Sequence, residues 1–176
     1  SGKRRASETG DSRSGVVRQT EKSIVVLYFE NLSGVKEDEY FRDGITEDII
    51  TELSKIRTLK IFPRPTILPY RDKAVTAQQV GRELGAAYVL GGSLRRAGNR
   101  LRINAQLMDA KTDFPVWSEL YDREMADVFE VPDEIARKSK RNSALAAQLA
   151  EARRTLALLE KQPGATRSAA STESAM

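Results

Sequence analysis

The sequence predicts an α/β fold: a mixed β-sheet of about five strands in the order β-α-β-α-β-β-β-α, with helices packed on it and flexible termini. Three observations carry this. The run IVVLYF at 24–29 is continuously apolar and rich in β-branched and aromatic types, the pattern of a strand buried on both faces. Two later stretches repeat their apolar residues at helical spacing. Finally, the segments 87–96 and 100–109 flank a turn at Ala97-Gly98-Asn99, and the second alternates strictly between apolar and polar.

Taken in order, the strand at 24–29 leads into a helix over about 38–56, where Phe41, Ile45, Ile49, Leu53 and Ile56 share one face. A short strand, LKIF at 59–62, follows, and Pro63, Pro65 and Pro69 forbid regular pairing beyond it. The second helix has the strongest end signals. Thr76 and Gln79 form a capping box, Val75 can staple onto Val80, and Gly85 stands where a left-handed C-terminal cap belongs. After the strand at 87–96, the strand at 100–109 places Leu101, Ile103, Ala105 and Leu107 on one face and Arg100, Arg102, Asn104 and Gln106 on the other. PVWSELYDR at 115–123 completes an antiparallel meander. A last helix begins near Asp127 and restarts at Pro132, a tolerated first-turn position. The crossovers of the first half imply parallel pairing there.

Composition bounds the chemistry. The 176 residues include no histidine and no cysteine, which removes imidazole proton shuttles, thiolate nucleophiles and thiol-ligated metal centres. A net charge of +4, from 29 Lys+Arg against 25 Asp+Glu, does not by itself imply nucleic acid. Residues 1–22 read as a disordered basic arm or linker and 162–176 as a disordered tail, flanking a domain at 23–138 and a helical extension at 139–161. No apolar run reaches membrane-spanning length, and the lack of cysteine leaves both a cytoplasmic and an extracytoplasmic placement open.

Candidate sites are few. Asp43 and Glu47, four apart on a helix, can share a hard cation, although early-turn carboxylates also favour the helix dipole without any ligand. Gly91 and Gly92 fall within a strand and fit no phosphate-binding motif; they mark a bulge or a close backbone approach. Arg95, Arg96, Arg100 and Arg102 form a candidate polyanion patch on the hairpin, ranked behind protein partners because edge arginines commonly keep a sheet soluble. Leu145, Leu149, Ala152, Leu156 and Leu159 repeat as a short heptad seam, which serves either self-association or packing on the domain itself. No metal site or cofactor is expected.

Four blocks place the chain beside a known family: SIVVLYFENLSG at 23–34, EYFRDGITEDIITELSKI at 39–56, VGRELGAAYVLGGSLRRAGNRLRINAQLMDA at 80–110 and VWSELYDREMADVFEVPDEIA at 116–136. Together they resemble the TolB-like N-terminal domain family, near the flagellar FlgO-type domains, found in bacterial multidomain signalling proteins. The resemblance implies an α/β domain without known catalysis, placed after a kinase, class III adenylate cyclase or winged-helix effector and before tetratricopeptide repeats. Its recognisable positions are Phe29, Asn31, Leu32, Gly44, Gly81, Gly92, Trp117 and Asp122, all of core, turn or close-approach type. PRPTILPY at 63–70 and Gly91 depart from the family pattern. The function expected is a non-catalytic regulatory and protein-interaction domain. It would bind through the loops after the strands, at Glu30, Asn31, Ser33, Arg64 and Tyr70, with neighbouring domains, protein partners or a second copy as its partners. The alternatives are polyanion binding through 95–102 and a carboxylate-dependent metal enzyme.

Overall fold

The computed structural model describes residues 22–161. The arm expected over 1–22, save Lys22, and the tail over 162–176 lie outside the described residues. The sheet is built from β1 (Ser23–Val26), β2 (Glu30–Asn31), β3 (Lys60–Ile61), β4 (Tyr88–Ala97), β5 (Arg100–Asp109) and β6 (Pro115–Glu124). Its order is β3-β1-β4-β5-β6, with β2 also paired to β4. Pairing is parallel among β1, β2, β3 and β4 and antiparallel through β4, β5 and β6, as the crossover argument requires.

The expected strand at 24–29 is interrupted. Val26 pairs with Leu90 and Glu30 with Ser93, so four residues on one side run against three on the other. The extra residue throws Tyr28 and Phe29 out of the ladder, as a bulge does. Phe29 turns into the core, and its N–H donates to Thr46 Oγ1 at 3.3 Å.

Helix α1 (Asp38–Ser54) buries Ile45, Ile49 and Leu53, with Phe41 packed at the margin of the same core. Asp38, Arg42 and Thr46 are buried on α1 as well. The proline segment does exclude a strand, but it forms helix α2 (Arg64–Ile67), with Pro65 in the first turn, followed by a 3-10 turn at Leu68–Tyr70. Helix α3 (Ala77–Leu84) ends as its sequence demands: Thr76 Oγ1 accepts from the Gln79 N–H at 3.1 Å, and Gly85 takes φ 72° as the left-handed cap. A 3-10 segment, Met125–Glu130, then leads into helix α4 (Val131–Glu160).

The two faces of the sheet are unequally covered. Helices α1 and α4 close one face over Ile24, Val26, Leu90, Leu94, Ile103, Leu107 and Tyr121. On the other, α3 and Ile67 cover only the end formed by Val25, Val89 and Ala110. Of the two strand glycines, Gly92 is a close approach: a Cβ there would stand 1.9 Å from the Asn104 carbonyl oxygen. No bulge occurs there, since β4 and β5 pair without interruption; the irregularity lies at Leu107/Met108 against β6. Gly81 is similarly confined by Ala110, whereas Gly44 faces open space and Leu32 is exposed, so those two are not packing positions.

Candidate functional site

The uncovered part of the second face is a cleft of about 970 Å³, within the range of small-ligand sites. Val89 and Gly91 of β4 and Gln106 and Met108 of β5 line its floor. One wall is the interrupted strand, with Tyr28, Glu30 and Asn31; the other is the segment from Tyr70 to Ala77. Gly91 leaves the floor open, since a Cβ there would meet no atom within 4 Å.

Arg42 lines the cleft from α1 although it is only 2% exposed. Its Nη1 donates to Asp72 Oδ1 at 2.6 Å and its Nε to Asp43 Oδ1 at 3.1 Å, while Nη2 is buried without a hydrogen-bond partner. Burial works against the charged guanidinium, but bonding to Asp72 and Asp43 outweighs it and raises the Arg42 pKa above its ordinary value. Asp43 also accepts from Arg71 Nη2 at 2.7 Å, and Arg71 lies over the Tyr28 ring at 5.6 Å. At the far end, Asp113 accepts from the Gln78 N–H in the first turn of α3 at 3.3 Å. Tyr70 donates to Glu83; this bond raises the phenol pKa and lowers the carboxyl pKa. Lys36, Arg42 and Lys73 meet Glu30, Glu39, Asp72 and Asp113 around the cleft, so neither sign dominates.

Of the five expected ligand residues, the structure brings Glu30, Asn31 and Tyr70 to this cleft and leaves Ser33 and Arg64 outside its walls. Asn31 and Ser33 stitch the loop: Asn31 Oδ1 accepts from the Ser33 N–H at 3.0 Å, Asn31 Nδ2 donates to Val35 O at 3.0 Å, and Ser33 Oγ accepts from the Arg96 N–H at 2.9 Å. Arg64 binds Tyr28 Oη at 3.1 Å and pairs with Glu47 at 2.9 Å. Sequence reasoning missed Arg42 as a cleft residue. The signal was its place in the buried stripe of Asp38, Arg42, Ile45, Ile49 and Leu53 on α1.

The other candidates are placed as follows. Asp43 and Glu47 spend their charge on arginines, and among the described residues no group of three or more His, Cys, Asp or Glu is placed to hold a metal. The four hairpin arginines do not share a face. Arg96 pairs with Asp38 at 3.2 Å, while Arg100 and Arg102 share Asp122 at 3.0 and 3.5 Å and lower its pKa. Arg95 stands opposite Arg102 across the ladder. The inward face of α4 is buried as far as Ser143, with Ala146 packed at the margin of the core; Leu145, Leu149, Leu156 and Leu159 are 53–62% exposed. No helix among the described residues is long and apolar enough to cross a membrane.

A Rhizobium meliloti (strain 1021) protein named "Putative adenylate cyclase 3" is 52% identical over 115 residues, which is 65% of this chain and 20% of that protein. The chain thus spans about a fifth of that relative's length. Among solved structures, TolB from Acinetobacter baumannii aligns with a TM-score of 0.52 at 14% identity, over 70% of this chain and 28% of that one. Lipoprotein GNA1162 from Neisseria meningitidis aligns with a TM-score of 0.51 at 18% identity, over 58% and 79%. At such identity these two show a shared fold, and the TolB likeness read from the sequence holds at that level. Residues 20–137 match the HilA/YgeH-like transcriptional regulator second domain, and the chain belongs to that family.

Proposed function

We propose that this is a non-catalytic regulatory and interaction domain of a bacterial signal-transduction protein, and that the cleft on its half-covered sheet face is where it recognises a small polar ligand. The observation that carries this reading is Arg42: a buried guanidinium lining the cleft with one nitrogen still unpartnered. A buried donor left unsatisfied calls for an acceptor, and a ligand oxygen supplies one. The family of transcriptional regulators and the adenylate cyclase relative support a domain that serves different effectors, the effector itself lying elsewhere in the parent protein. The absence of histidine and cysteine, and the pairing of Asp43, Glu47, Asp72 and Asp113, favour recognition over chemistry.

A thermal-shift screen with small carboxylates and amino acids tests this. At 100 times its Kd a ligand stabilises by about 2.7 kcal/mol, or about 5–10 °C in Tm for a domain of this size. The shift is expected in the wild type and absent in Gly91→Leu, which fills the floor. If no such compound shifts Tm, or if the parent protein responds normally without residues 23–138, the reading is wrong.

A further inference from the structure

The exposed leucines of α4 do not continue the stripe that packs on the domain. At about 100° per residue, Leu145, Leu149, Leu156 and Leu159 centre roughly 120° around the helix from Ile135, Ser139 and Ser143. The packing stripe itself runs on through Ala150, Arg153 and Ala157, which offer no large apolar group. Helix α4 therefore carries two separate faces, one satisfied by its own domain and one bare. With Leu145, Ala152 and Leu159 at d and Leu149 and Leu156 at a, the bare face is a two-heptad seam. Leu158 lies off it.

We propose that a second copy of this chain covers this seam, the two α4 helices pairing in parallel as a short coiled coil. The seam is self-complementary, since in a parallel pair each leucine meets its own counterpart, as a twofold interface requires. The flanking positions agree. Gln148 faces the partner's Arg153 and Thr155 faces the partner's Glu160, so no like charges oppose each other. Two heptads bury less than a standard interface, so the dimer is weak and forms only at high protein concentration. The inference stands apart from the cleft and survives if the cleft proves empty of ligand.

Sedimentation of the full 176-residue chain from about 1 µM to 1 mM tests it. The wild type is expected to shift from monomer to dimer across that range. Leu149→Glu/Leu156→Glu is expected to stay monomeric with an unchanged Tm, because both side chains are exposed in the monomer. The chain lacks cysteine, so introduced thiols report cleanly. Ala152→Cys, in the seam, is expected to oxidise to a covalent dimer, and Ala150→Cys, outside it, is not. A wild type that stays monomeric throughout would give the seam to a helix of another protein and overturn the proposal. A dimer that persists in the double variant, or that crosslinks as well through Ala150→Cys, would also overturn it.

Discussion

Adjacent glycines on β4 should respond in opposite directions to the same substitution. In Gly92→Ala the new Cβ would stand 1.9 Å from the Asn104 carbonyl oxygen, 2.9 Å from its carbon and 3.1 Å from Ala105 Cα. An acceptable carbon–oxygen contact is about 3.3 Å, so β4 and β5 must separate locally by more than an ångström. Every atom in the way is backbone, held in a ladder that runs from Tyr88 to Ala97 against Arg100 to Asp109, and no side-chain rotation relieves it. Overpacking usually costs about 1–3 kcal/mol, and a backbone clash in the longest uninterrupted ladder of the sheet belongs at the top of that range. At about 2–4 °C per kcal/mol, Tm should fall by about 6–12 °C. In Gly91→Ala the methyl enters open cleft, and the loss of glycine freedom in the unfolded chain should add about 0.4–1 kcal/mol, raising Tm by about 1–4 °C. Circular-dichroism melts of both variants decide the matter. A Gly92→Ala Tm within about 2 °C of wild type would show that the two strands do not approach as closely as described.

Asp43→Ala removes a carboxylate shared by buried Arg42 and by Arg71 and should cost about 1–3 kcal/mol. Asp72→Ala should cost less because that side chain is solvent-exposed; urea midpoints at constant m-value compare the two. Thr76→Ala loses the cap bond to Gln79 and should cost about 1 kcal/mol, read as a lower Tm. Burial, reinforced by the charges of Glu119 and Glu134, raises the Tyr121 pKa well above the ordinary tyrosine value. A raised folded-state value means that Tyr121 stabilises the fold fully below about pH 10, the unfolded pKa, and loses that contribution as pH climbs from there toward the folded pKa. Tyr121→Phe should therefore flatten the alkaline fall in stability above about pH 10, measured by denaturant titration at stepped pH.

What the sequence made legible was whatever local chemistry decides. Helix α3 has its cap, its staple and its terminal glycine within eleven residues, and β5 displays a strict period of two; both stand where those signals put them. The break after Val26 was hidden because IVVLYF is apolar throughout, and a uniform run cannot show a skipped register. Pairing to Leu90 and Ser93, far along the chain, decides it. The prolines of 63–69 were read as barriers to a strand, and so they are, but Pro65 also starts a helical turn. At the cleft the loops were legible and the roles of their residues were not. Asn31 lines the cleft but spends its amide on the backbone of Ser33 and Val35, Ser33 stays outside and accepts from the Arg96 N–H of β4, and Arg42, on a helix, reaches the site.

The cleft follows from a mismatch of lengths. Eight residues of α3 reach about 12 Å, while ten residues of β4 or β5 reach about 33 Å, so one short helix covers about a third of the face it lies on. The long α1 and α4 leave no such gap opposite. The two sides of the same strands therefore carry different obligations. Leu90, Leu94, Ile103, Ala105 and Leu107 are buried beneath the two long helices and have no room for change. On the other side Gly91, Ser93, Asn104 and Gln106 remain partly open, and their polarity suits a surface that the domain does not close itself. Substitution should separate the two sets. Ser93→Ala and Gln106→Ala should leave Tm within about 2 °C, whereas Leu94→Ala, on a neighbouring residue of the same strand, should cost about 2–5 kcal/mol. Equal costs on both sides would mean that the second face is as much a core as the first, and that the cleft is not open surface.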